Sequence, residues 1–129
     1  MRSLYLSIGI GGALGALGRY ALSGWVHALL GTAFPWGTLV VNIVGSTALG
    51  AVLGISSQVP VNVEARAFLT IGFLGAFTTF STFSFEAVTL LRDGGWRLAL
   101  PYVGGSLAAA FAGLALGLVV SEAILEAIR

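Results

Sequence analysis

The chain has 129 residues, of which 57% are hydrophobic and 9% charged, with a mean hydropathy of +1.00. That is too apolar and too poor in charge for a soluble domain of this size. The net charge of +1 offers nothing to nucleic acid, and the absence of cysteine excludes disulfides, thiolate metal sites and thiol redox chemistry. A membrane-spanning helix needs about 20 mostly apolar residues, and four stretches qualify, near 3–24, 36–55, 67–91 and 98–120. The expectation is one all-α integral membrane domain over 1–129, its first segment a permanent helix and not a cleaved leader.

Segment one is studded with Gly9, Gly11, Gly12, Gly15 and Gly18 and followed by Arg19-Tyr20. Gly11 and Gly15 have the small-xxx-small spacing that lets helices approach closely. Tyr20, Trp25 and Trp36 suit the membrane interface. Pro35 biases Phe34 away from helix, so 31–35 reads as a turn. His27, close to that turn, has no partner at metal-ligand spacing and is expected at the interface. Segment two carries Thr38, Asn42 and Ser46 every four residues, a polar line down one face. An amide at membrane depth can donate hydrogen bonds to an anion, or bridge helices.

The third segment is the most informative. Within it, Gly72 to Glu86 (GFLGAFTTFSTFSFE) holds five hydroxyls and a carboxylate among phenylalanines. Polar groups at that depth are costly unless they face protein, water or an ion. A straight helix of about 26 residues would be about 39 Å long, against an apolar core of about 30 Å. The excess is met by tilt, or by a break that Gly72 and Gly75 place just ahead of Thr78-Thr79. Free carbonyls around Gly75 and Thr78 would suit a hard cation such as Na⁺. In a continuous helix the hydroxyls would instead bond back to their own i−4 carbonyls. Beyond the break, Thr79, Thr82 and Glu86 share a stripe with Phe83 at its edge, and Phe80 lies one turn from Phe83. Positive ring edges can touch an anion while Ser81 and Thr82 donate to it; the plainer role for the rings is packing. Arg19 can attract an anion, snorkel, or pair with Glu86.

Arg92-Asp93-Gly94-Gly95 closes segment three, and Pro101 suits the first turn of segment four. Arg2, Arg66 and Arg129 fall at one end of the bundle, Arg92 and Arg97 at the other. Orientation follows the arginine bias of short loops, and a bias of one residue permits insertion both ways round; the other reading is that Arg19 or the termini impose one. Four short helices enclose little, so a pathway calls for a second copy.

Three stretches in order resemble the Fluc (CrcB) fluoride channel family: Gly15 to Tyr20 (GALGRY), Gly37 to Gly45 (GTLVVNIVG) and Gly72 to Glu86. They cover the first three segments. The resemblance implies four transmembrane helices with the third broken, an antiparallel dual-topology homodimer in the bacterial plasma membrane, and two fluoride pores. It implies a structural Na⁺ held by the carbonyls of Gly75 and Thr78 from both subunits. Phe80 and Phe83 would be the pore phenylalanines and Asn42 the pore amide, with Thr38, Ser81 and Thr82 in the polar lining. Segment four keeps part of the family's tyrosine-and-hydroxyl track in Tyr102 and Ser106, but Ala110 and Leu114 take the next two places. The activity implied is passive export of cytoplasmic F⁻, not enzymatic. The rival readings are a proton-coupled exporter of organic cations, for which Glu86 is the sole candidate carboxylate, and a non-conducting scaffold.

Overall fold

The computed structural model describes residues 1–128, and all of the regular structure in them is helical. Arg129, counted above with the arginines of one end, lies outside the described residues. Helix α1 spans Arg2–Leu30 and α2 spans Trp36–Gln58. The third segment is composite: α3 (Val63–Ala67), a wider π-helical stretch (Phe68–Leu74), a short α4 (Gly75–Phe77) and, after an interruption, α5 (Phe80–Asp93). Helix α6 runs over Trp96–Ala127. Of these four long segments, Trp36–Gln58, Val63–Asp93 and Trp96–Ala127 are long and apolar enough to cross a membrane. Helix α1 has the length, but its glycines and Arg19 lower its hydropathy.

Several boundaries move outward from the sequence expectation. Nothing breaks α1 at residue 24; it ends only where Gly31 turns to φ +80, its N–H closing onto the His27 carbonyl at 2.8 Å. That left-handed backbone favours glycine. Helix α2 continues to Gln58 and stops ahead of Pro60, and Asn62 then caps α3 by accepting the N–H groups of Glu64 and Ala65 at 2.8 and 3.2 Å. Helix α6 starts at Trp96 after Gly95 (φ +70), so Pro101 lies inside it and not in its first turn. The proline leaves the Arg97 carbonyl without its helical donor.

The helices pair in parallel. Along α2 and α6, which share the most extensive packing, Gly50 meets Leu114, Gly54 meets Leu118 and Ser121, and Gly117 meets Thr47 and Ala51. A Cβ on Gly50 would overlap the Leu114 carbonyl, and one on Gly117 that of Thr47. Lipid supplies no hydrophobic drive between helices, so such close backbone contact carries the association. Helix α1 likewise lies along the π-helical stretch: Gly11 meets Phe68 and Gly72, Gly15 meets Phe73, and Gly18 meets the Phe77 ring. The small-xxx-small pair of α1 is thus spent on the third segment. Large apolar side chains such as Leu17, Ile71, Phe111 and Leu116 point outward, as a lipid-facing surface requires.

Candidate functional site

The interruption of the third segment falls at Thr78 (φ −78, ψ 156) and Thr79 (φ −148, ψ 119), near the middle of Val63–Asp93. Both expectations for this stretch hold in part. The helix breaks, one residue pair beyond Gly75, while hydroxyls on its flanks bond back: Thr70 Oγ1 to the Arg66 carbonyl, Thr78 Oγ1 to Leu74 and Ser84 Oγ to Phe80, all within 2.8–2.9 Å.

Asn42 holds the break open. Its Oδ1 accepts Thr79 N–H at 2.8 Å, and its Nδ2 donates to the Thr79 carbonyl at 3.0 Å. Thr79 then caps α5, its Oγ1 accepting Thr82 N–H at 3.2 Å. Two helical bonds are lost in consequence. In a continuous helix Thr79 N–H would serve the Gly75 carbonyl and Thr82 N–H the Thr78 carbonyl. Both amides are committed elsewhere, which releases these two oxygens from the ladder. Gly75 is exposed on the surface of the single chain. Gly45 permits the approach of α2, since a Cβ there would overlap Thr78 Cγ2 and stand 3.0 Å from the Phe77 ring.

A second polar knot lies one helical turn up α2. Glu86 accepts Thr38 Oγ1–H at 2.9 Å on Oε1 and Tyr102 O–H at 2.7 Å on Oε2. Thr38 and Tyr102 are buried. Both carboxylate oxygens are therefore occupied by hydroxyl donors, and the pairing with Arg19 weighed above is not among Glu86's bonds. An aromatic row runs beside the knot, with ring centroids 5.5 Å apart for Phe80 and Phe83, 5.3 Å for Phe83 and Tyr102, and 5.4 Å for Tyr102 and Phe34.

Two cavities flank Thr79. The first, about 240 Å³, brings together Asn42, Ser46, Phe80, Phe83, Ser106 and Ala110. Ser106 Oγ is buried and, among the described residues, has no hydrogen-bond partner. The second cavity, about 460 Å³, is lined by Arg19, Tyr20, Ser23, His27, Thr38 and Thr82. Of the sequence-predicted residues, Asn42, Gly75, Thr78, Phe80, Phe83 and Ser106 line the first cavity and Arg19, Thr38 and Thr82 the second, while Tyr102 is joined to Thr38 through Glu86 and Ser81 lines neither. Ser81 and Thr82 are exposed in the single chain. Where Ala110 interrupts the hydroxyl track of α6, Ser46 of α2 faces the same cavity. The hub role of Thr79 was not foreseen. Asn42 four residues after Thr38, opposite a Thr-Thr pair, was the available signal, but nothing local reveals a bond spanning 37 residues.

A family model described as CrcB-like protein, Camphor Resistance (CrcB), matches residues 6–118. The chain belongs to this family. Among CrcB-like relatives, a protein of Opitutus terrae named fluoride-specific ion channel FluC is 51% identical over 108 residues, covering 81% of this chain and 82% of its own. A protein of the same name from Thermus thermophilus is 50% identical over 103 residues, 80% of this chain and 81% of its own. One from Geotalea uraniireducens is 47% identical over 120 residues, 92% and 97%. These alignments cover most of both chains, and with three apolar helices of spanning length they make this CrcB-like chain a multi-pass bacterial membrane protein. The family is one of ion channels and not of enzymes.

Proposed function

We propose that this chain forms a passive, fluoride-selective channel that lets F⁻ leave the cytoplasm. The observation that carries the reading is the first cavity: an unpartnered buried hydroxyl (Ser106), an amide (Asn42) and two phenylalanines meet there, in a chain whose relatives are named fluoride-specific channels. One Asn42 amide hydrogen is held by Thr79; the other remains for an anion. Ser106 supplies a hydroxyl donor. Phe80 and Phe83 present ring edges, which attract an anion weakly enough to let it pass on. Fluoride is small and a strong acceptor, so it gains more from these donors than chloride does.

The working unit in this proposal is an antiparallel homodimer inserted in both orientations in the bacterial inner membrane, with four spanning helices per chain and two pores. Phe80 is 73% exposed and Ser81, Thr82 and Gly75 are exposed in the single chain, which supports a second copy against this face. Gly75 and Thr78 would hold a structural Na⁺ at the centre, each through its backbone oxygen, and the two carbonyls released from the helix ladder fit a hard cation that takes oxygen ligands. Bound there, Na⁺ supplies a fixed positive charge and a joint between the broken helices.

The test is reconstitution into liposomes loaded with potassium fluoride, with efflux followed by a fluoride electrode after valinomycin is added. Fast, valinomycin-dependent fluoride efflux without matching chloride efflux is expected. No efflux from a folded, monodisperse preparation defeats the proposal.

A further inference from the structure

Helix α2 begins under unusual constraint. The first amides of a helix have no intrahelical acceptor and are normally met by a polar side chain at the cap. Here the cap position is Pro35, which makes no side-chain hydrogen bond, and the first turn carries no acidic residue. The group that meets the amide of Gly37 comes from α1: His27 Nε2 accepts its N–H at 3.3 Å. His27 also accepts Gly31 N–H on its own carbonyl, so one residue closes the end of α1 and caps the start of α2. The ring fits only because position 37 is glycine, where a Cβ would stand 2.9 Å from Cε1 and Nε2. The next residue is Thr38, the donor to Glu86, and Asn42 follows one turn later.

We propose that neutral His27 is a positioning residue for conduction, holding the start of α2 so that Thr38 meets Glu86, and that protonation of the ring releases this hold and slows the channel. The inference rests on the channel reading above. Nε2 accepts a hydrogen bond only while it carries no proton, and an imidazolium has donors on both nitrogens. It would also set a positive charge at the positive end of the α2 dipole. Imidazole ordinarily changes charge between about pH 5 and 8.

The charged and titratable groups around His27 are few. Arg19 and Tyr20 of α1 line the same cavity, to which α2 brings Thr38 and α5 brings Thr82, neither titratable. Beyond Thr38 lie Glu86 of α5 and Tyr102 of α6, bonded to each other. Protonation therefore adds a second positive charge to the cavity that Arg19 lines, while both oxygens of Glu86 already accept hydroxyl hydrogens. A positive ring also draws anions, which opposes the effect of losing the cap. That attraction does not restore the bond to Gly37 N–H, which is lost outright. The bond decides the sign.

The experiment uses the full-length protein in liposomes, with pH equal on both sides, potassium clamped by valinomycin, and leak measured in protein-free vesicles subtracted. Between about pH 7.5 and 5.5 the wild-type initial rate is expected to fall about three- to tenfold, the range a lost hydrogen bond produces. His27→Gln keeps an acceptor oxygen without a titratable charge, and its rate should be pH-independent across this interval. His27→Leu has no acceptor and should conduct slowly at both pH values. A wild-type rate that is flat or rises toward acid overturns the proposal, as does a Gln variant that follows the wild-type profile or a Leu variant as fast as wild type. Absence of wild-type fluoride efflux at every pH would instead defeat the channel reading itself.

Discussion

Replacing Asn42 by alanine tests the clasp that holds the third helix open. The substitution removes both hydrogen bonds to Thr79, which is 8% exposed, and leaves its N–H unmet, while its carbonyl, at the cap of α5, keeps the first amide of that helix. The unmet amide costs about 1–3 kcal/mol and the carbonyl's lost second bond about 0.5–1.5 kcal/mol, so the open break loses about 1.5–4.5 kcal/mol. At the low end that is already about a tenfold shift in population. The chain can recover the amide's bond by closing the helix, returning Thr79 N–H to the Gly75 carbonyl. Closure shortens two extended residues from about 3.3 to 1.5 Å of rise each, drawing α5 along by roughly 4 Å. Glu86 would then leave Thr38 and Tyr102, bonds of 2.9 and 2.7 Å, so closure restores one polar set by breaking another. Either route lowers stability, and closure also removes the released carbonyls. The expected result is a thermal midpoint lower by at least about 5 °C and fluoride efflux reduced at least about tenfold. The midpoint is read by fluorescence-monitored unfolding in detergent and the rate by liposome efflux. A variant that conducts at the wild-type rate refutes the reasoning. One that loses conduction with an unchanged midpoint reduces Asn42 to an anion donor and removes its role in shaping the helix.

Three further substitutions separate conduction from folding. Phe80→Ile should abolish fluoride efflux while the protein still elutes as the wild-type assembly, because the ring is 73% exposed in the single chain and contributes little to its packing; unchanged efflux removes Phe80 from the path. Ser106→Ala deletes a buried hydroxyl that has no partner among the described residues, so its midpoint should hold or rise by about 1 kcal/mol equivalent while efflux falls. If neither quantity moves, Ser106 lies outside the pathway. Glu86→Gln retains an acceptor for one hydroxyl and offers a donor to the other, so efflux should fall by less than about tenfold. Complete loss of transport, restored by no voltage or gradient, would revive the proton-coupled exporter.

Much of the architecture is written in local pattern. Long apolar runs bounded by Pro35, Pro60 and Gly94-Gly95 mark the segments, since lipid tolerates only backbone that satisfies its own hydrogen bonds. The crowding of hydroxyls at Thr78 and Thr79 marks where that rule is relaxed. The helical donors of the Gly75 and Thr78 carbonyls turn elsewhere, to Asn42 and to the Thr79 hydroxyl. Local pattern also misled: Pro101 reads as a helix start but sits inside α6, because φ +70 at Gly95 had already begun the helix.

What the sequence determined by itself is the class of molecule, the segments and the residues rich enough in polar atoms to matter; between tilt and a break in the third segment it left the choice open. The tertiary structure decided their partners. Asn42 meets Thr79 across 37 residues, Thr38 meets Glu86 across 48, and His27 caps a helix that starts after a proline turn. These bonds depend on how closely α2 approaches its neighbours, with Gly45 against Thr78 and Gly37 against His27. Periodicity tells which face of a helix is polar, but register between helices is set by where backbones can touch, and that is a property of two surfaces together.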